Sequence, residues 1–242
     1  MARTGGTIVW MFGRGLSIGC GLTWDVPTSC KSLPRDEQIQ RIKAALATEM
    51  LSPSINTSGI RDLLSHLENH TAPDWRHLFV TTNWDYLLQR EISGLGLKVQ
   101  PPWLANSHVF HLNGTVENLP NNENRSPFLL VEDGADQRTN TVEANIVFNQ
   151  MIWHQTFVVV GMSFECDTDK FLLHALSRVE DDLPIGESEW TLVNPDQAVL
   201  DLVRARIQVA LPRARIECVR ATLDNWRDQR FPSLVGKGVF SS

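Results

Sequence analysis

Four short apolar runs, each breaking off into glycine, asparagine, serine or aspartate, constrain this chain more than any other feature. Thr7-Ile8-Val9-Trp10-Met11-Phe12 runs into Gly13 to Ser17, and His77-Leu78-Phe79-Val80-Thr81-Thr82 into the cluster Thr81 to Asp85. Thr156-Phe157-Val158-Val159-Val160 runs into Gly161 to Ser163, and Glu189-Trp190-Thr191-Leu192-Val193 into Asn194 to Asp196. Continuously apolar, β-branched runs of this length are what strands covered on both faces require. Val109 to Leu112 and Arg215 to Val219 read as two further strands. Stretches of helical spacing lie between them: 35–50 behind Pro34, 58–70 with the stripe Ile60, Leu63, Leu64 and Leu67, a short piece from Tyr86, 142–154, the segment up to about Arg178, and the segment up to about Val209. A last helix is expected around Trp226, and 119–126 reads as a surface loop. Strand, turn and helix in alternation predict an α/β chain with a mainly parallel sheet wound on both faces. Residues 28–75 carry helical pattern and are expected as an insertion within one domain spanning 1–242.

In a doubly wound sheet the carboxyl ends of the strands share one edge, where ligands bind. Four polar clusters at that edge are therefore expected to converge, although Asn, Asp, Ser and Gly also cap helices there. Asp169 and Asp196 suit ordinary first-turn positions. The stretch from Gly13 to Gly21 is the richest of these segments. Closely spaced glycines behind a buried strand allow close backbone approach, and exposed N–H groups at a following helix start attract phosphate. Its spacing departs from the usual dinucleotide fingerprint, because Ile18 stands where the third glycine belongs.

The remaining composition narrows the partners. The net charge is −6 and no lysine- or arginine-rich block is present, which argues against direct nucleic-acid binding. Cys20, Cys30, Cys166 and Cys218 are scattered with no C-x-x-C pair, so neither a zinc ribbon nor a disulfide framework is expected, and no metal site. Free thiols suit a reducing cytoplasm. The N-terminal apolar run is too short for a secretion signal or a membrane span. Eight tryptophans against one tyrosine are expected to serve as large core or interface side chains.

Several of these segments together resemble the sirtuin family in its wider, bacterial sense. Gly13-Arg14-Gly15-Leu16-Ser17, with Gly21 and Trp24 to Pro27 downstream, is similar to the family's glycine-alanine-glycine-x-serine turn. Thr81-Thr82-Asn83-Trp84-Asp85 resembles its threonine-threonine-asparagine-x-aspartate motif, the most specific of the matches. Phe110 to Gly114 occupies the place of the histidine-glycine motif, Val160 to Ser163 with Asp167 resembles the glycine-x-serine segment, and Val193-Asn194-Pro195 the nucleotide-edge strand. The resemblance runs from residue 7 to about 205. It implies a Rossmann-like domain and NAD or NADP as substrate or ligand. Lacking the four-cysteine zinc module, the chain looks like the zinc-free bacterial branch, whose members hydrolyse NAD to nicotinamide and ADP-ribose, often in anti-phage defence. A homo-oligomer or a partner protein from the same operon is implied as well.

By the same resemblance, Asn83 binds the ribose or orients the attacking water, and Asp85 holds the nicotinamide side or the local loop. Gly13, Gly15 and Ser17 contact phosphate, Ser163 and Asn194 lie nearer the adenosine half, and Thr82 and Gly161 complete the set. Arg14 replaces the family's alanine; an arginine there either reaches a phosphate or intrudes on the ligand. Asn113 stands where the family has its base. His111, two residues earlier on the same strand face, is left with a catalytic role or a purely backbone-bonded one. His108, His154 and His174 are expected at or near the surface. Three readings stay open: a glycohydrolase, a catalytically silent NAD or ADP-ribose sensor, and an interaction subunit.

Overall fold

The structure, a computed structural model, describes residues 5–23, 25–99, 109–116, 128–130, 133, 142–181, 183–222, 225, 234–235 and 237–240. Its centre is a six-stranded, wholly parallel sheet. The strands are β1 (Gly6–Phe12), β2 (Trp75–Thr81), β3 (Val109–His111), β4 (Thr156–Val160), β5 (Glu189–Val193) and β6 (Arg215–Val219). They are ordered β3-β2-β1-β4-β5-β6. This is the Rossmann-like order, in which the chain steps outward from β1 in one direction, returns beside it with β4, and continues the other way. Strand β2 begins earlier than its apolar run suggests because β1 is long enough to pair from Gly6 with Trp75 through to Phe12 with Thr81.

Alternation along β1 divides the core into two layers. Ile8, Trp10 and Phe12 face one way. There they meet Ile42 and Leu46 of α2 (Arg35–Glu49) and Ile60, Leu63, Leu64 and Leu67 of α3 (Ser58–His70). Val9 and Met11 face the other way. Against them pack Val147 and Met151 of α5 (Val142–Met151), Leu172, Leu173 and Leu176 of α6 (Asp167–Ser177), and Leu200, Val203 and Ile207 of α7 (Gln197–Ala210). Two shorter helices, α1 (Arg14–Gly19) and α4 (Leu87–Ile92), follow β1 and β2. Burying both faces is what makes the strand sequences continuously apolar: β4 is buried at all five positions. Helices α2 and α3 lie in the connection from β1 to β2, within the stretch 28–75 whose last residue already opens β2.

Tryptophan use is divided. Trp10, Trp75 and Trp190 are buried, Trp190 stacking on Phe157 at 4.3 Å between centroids, whereas Trp153 is exposed. Inside the first layer the Trp10 indole N–H donates to His77 Nδ1 at 3.0 Å, and His77 Nε2 lies 3.1 Å from Thr71 Oγ1. A ring that accepts at Nδ1 carries its proton at Nε2 and is neutral. Burial holds this imidazole from the ordinary 6.5 down to about 3. His174 is exposed, and His154 is half-buried with burial lowering it to about 4. His108, Trp24, the 119–126 loop and the helix expected around Trp226 lie outside the described residues. No helix among the described residues is long and apolar enough to cross a membrane.

Candidate functional site

The carboxyl ends of β1, β2, β4 and β5 open into a single cavity of about 580 Å³. That volume lies inside the range of about 300–1,000 Å³ usual for small-molecule sites. It sits at the point where strand order reverses, with β1 and β4 side by side. Gly13, Arg14, Gly15 and Ser17 line it from behind β1, Thr82, Asn83 and Asp85 from behind β2, Asn113 from behind β3, Gly161 and Ser163 from behind β4, and Asn194 from behind β5. Of the residues given a catalytic or ligand-binding role from the sequence, His111 alone is missing from the lining. It is buried, and its Nδ1 lies 3.3 Å from the Asn83 carbonyl oxygen. The pairing of Thr81 with His111 in register brings the ring beside that backbone.

The floor of the cavity is main chain. Gly13 N–H donates to Val160 O at 3.0 Å and Gly15 N–H to Gly161 O at 2.8 Å. A Cβ on Gly13 would fall 2.5 Å from Met162 Cα, and one on Gly15 would fall 2.7 Å from Gly161 Cα. These glycines are therefore required by the close approach of the β1 and β4 turns. The N–H groups of Gly13 and Gly15, expected to face a phosphate, are engaged by the carbonyls of Val160 and Gly161. Gly161 itself takes φ of 61°, and Phe164, fully buried in the same loop, takes φ of 54°, a conformation costly for a residue with a Cβ. Arg206 of α7 ties that loop down, donating to Ser163 O at 2.7 Å and reaching Glu165 at 3.4 Å.

The β2 turn is fastened to β1. Thr81 Oγ1–H donates to Phe12 O at 2.9 Å and accepts from Asn83 N–H at 3.1 Å. The Asn83 side-chain amide donates from Nδ2 to Gly13 O at 3.0 Å and to Ser17 Oγ at 2.9 Å. Ser17 Oγ–H in turn donates to Asp85 Oδ2 at 2.6 Å, and Asp85 Oδ1 accepts from Leu87 N–H at 3.1 Å, capping the first turn of α4. Ser17 is thus a link between two turns; its hydroxyl proton is committed to Asp85 and is not available to a phosphate. Burial pushes the Asp85 carboxyl above the usual carboxylate range, while the hydrogen bonds from Ser17 and Leu87 pull the other way.

Asn113 is held at both ends of its amide. Nδ2 donates to Thr82 O at 2.8 Å and Oδ1 accepts from Thr168 Oγ1–H at 2.6 Å. Asn194 Oδ1 accepts from Asp196 N–H, and Asp196, expected in the first turn, is the N-cap of α7, accepting from Ala198 N–H at 2.8 Å. Arg14 sits at the rim, paired at 3.0 Å with Asp25, both largely exposed. Among the described lining residues, Arg14 shares the cavity wall with four acidic side chains: Asp25, Asp85, Glu165 and Asp169. Trp84, also in the lining, donates its indole N–H to Leu129 O and stacks on Phe128. Thr168 and Arg206 act on this site without having been singled out from the sequence. Their partners lie 55 and 43 residues away, and no local pattern marks them. No group of three or more His, Cys, Asp or Glu side chains placed to hold a metal occurs among the described residues.

The parallel sheet and its strand order define a Rossmann-like α/β protein, with a cavity at the strand carboxyl ends. No family model and no curated protein matches the chain. Among solved structures the chain is similar to one described as "Structural Basis for the Mechanism and Regulation of Sir2 Enzymes", with 14% identity, 95% of each chain covered and a TM-score of 0.45.

Proposed function

We propose that this chain is an NAD(P) glycohydrolase of sirtuin-like type, a single nucleotide-binding domain with residues 28–75 as its insertion, releasing nicotinamide and ADP-ribose. The observation that carries the reading is the fixed amide of Asn83. Both Nδ2 hydrogen bonds go to protein acceptors, Gly13 O and Ser17 Oγ. Exchanging Oδ1 and Nδ2 would set an oxygen against the Gly13 carbonyl, so the orientation is determined by the backbone. The side chain therefore offers an acceptor, suited to a ribose hydroxyl or a water, on the wall of the cavity.

Cleavage of the bond between nicotinamide and ribose passes through a transition state with oxocarbenium character. Such a state gains from negative charge held close by in a partly dry site and from a water already positioned. The carboxylates of Asp25, Glu165 and Asp169 supply the charge, and Asn83 Oδ1 accepts from the water or the ribose. With the glycine N–H groups engaged, Arg14 is the group for a phosphate, and it takes one by giving up Asp25. The further assignment to bacterial anti-phage defence, with a partner protein or a second copy in a cytoplasmic assembly, rests on the sequence resemblance.

A silent sensor of NAD or ADP-ribose is favoured by one observation: the position of the family base is an asparagine whose amide is bound at both ends, and His111 lies outside the lining. Incubation with NAD and with NADP, followed by chromatography for nicotinamide and ADP-ribose, separates the two readings. We expect nicotinamide release that is abolished in Asn83→Ala and largely kept in His111→Ala. Binding of ADP-ribose by calorimetry with no product from either dinucleotide would establish the sensor instead.

A further inference from the structure

Asn83, Ser17 and Asp85 form a chain polarised in one direction: amide N–H to hydroxyl oxygen at 2.9 Å, hydroxyl proton to carboxylate at 2.6 Å. Ser17 comes from α1 behind β1, and Asn83 and Asp85 from the turn behind β2, so the chain ties the two segments together. We propose that Ser17 and Asp85 are positioning residues that act through Asn83, holding its amide so that Oδ1 is presented to the cavity. They take no part as ligand contacts. The inference rests on the reading of Asn83 given above but concerns the ligand-free protein.

The polarity is set from the Asp85 end. Both carboxylate oxygens accept, one from Ser17 Oγ–H and one from Leu87 N–H. The Ser17 proton therefore points away from Asn83, and the hydroxyl meets the Asn83 amide as an acceptor. All three side chains are buried, at 3%, 7% and 9% exposure for Ser17, Asp85 and Asn83. A buried polar group that loses its partner is costly, so each member keeps the next in place. An asparagine at 85 has one acceptor for two donors. It must turn its own N–H toward either Ser17 or Leu87, and the chain loses its sense. A serine-to-alanine change at 17 leaves Gly13 O as the one remaining partner of Nδ2, so the amide is held by one hydrogen bond instead of two and Oδ1 is less firmly placed.

The test is the hydrogen exchange of the Asn83 side-chain amide, followed by NMR and assigned by its disappearance in Asn83→Ala. In the wild-type protein we expect both Nδ2 protons to be protected. In Ser17→Ala and in Asp85→Asn we expect exchange at least tenfold faster, while backbone amides of β1 and β4 keep their protection. In parallel, kcat for nicotinamide release is expected to fall about tenfold in Ser17→Ala, with KM for NAD within about twofold, because a mispositioned Oδ1 is felt in the transition state. Unprotected Asn83 amide protons in the wild-type protein overturn the proposal with no variant needed. So does unchanged exchange in whichever of the two variants folds. A wild-type protein that releases no nicotinamide but shows the expected exchange pattern overturns the glycohydrolase reading and leaves the positioning role standing.

Discussion

Lowering the pH from 7 to 5 is expected to remove about 2 kcal/mol of stability through one residue, His77. The ring is 1% exposed and is held from 6.5 down to about 3 by burial. A histidine with a depressed folded pKa binds more protons when unfolded, so its stabilising contribution is present above 6.5 and lost as pH falls through the window from 6.5 toward 3. At pH 5 the unfolded imidazole is almost wholly charged while the folded one is almost wholly neutral. The difference, with 1.36 kcal/mol per pKa unit, comes to about 2 kcal/mol relative to pH 7. The structure gives a second reason for the resistance to protonation: a proton on Nδ1 would face the Trp10 indole N–H, which now donates to that atom at 3.0 Å. His154, also depressed, adds in the same direction, and Asp85, whose pKa is raised, acts in the opposite one. Comparison with His77→Gln cancels both. Urea unfolding followed by tryptophan fluorescence at pH 7 and pH 5 is the assay. The wild-type protein should lose about 2 kcal/mol more than His77→Gln over that interval, whatever their difference at pH 7. Equal losses in the two proteins would refute the buried neutral assignment.

Three further outcomes follow from the site. Gly15→Ala is expected to cost about 1–3 kcal/mol by thermal or urea unfolding, since its Cβ would meet the Gly161 backbone at 2.7 Å, and to abolish nucleotide binding measured by calorimetry. Asp25→Ala releases the Arg14 guanidinium and is expected to tighten NAD or ADP-ribose binding about two- to fivefold at low salt, an effect that 0.5 M salt erases. Asp196→Ala removes the cap of α7 and is expected to cost about 1 kcal/mol of stability while leaving ligand affinity within about twofold.

Much of the scaffold could be read from the residues because apolar runs carry their own periodicity. Val158 to Val160 has no polar face to offer water, and Ile60, Leu63, Leu64 and Leu67 leave α3 only one way to lie. The convergence of the polar ends followed from parallel topology alone, and it brings Gly13 and Asn83 within 3.0 Å. What each polar group does there was not legible. The reason for glycine at 15 is the backbone of residue 161, and the Ser17 hydroxyl is spoken for by a carboxylate 68 positions on. Such partnerships belong to the packed state and leave no trace in local spacing. His111 illustrates the same limit: strand alternation places it near the cavity, but the register of β3 against β2 turns it to the Asn83 backbone.

The weld between the turns at Gly13, Gly15 and Gly161 has an evolutionary corollary. A pocket whose base is peptide backbone offers mutation almost nothing to vary there, because any added methyl collides at 2.5 to 2.8 Å. Changes in ligand preference must then arise at the perimeter, where the exposed Arg14 and Asp25 can be exchanged without disturbing the foundation. Descendants of this chain with new appetites should differ at those two positions first and retain all three glycines.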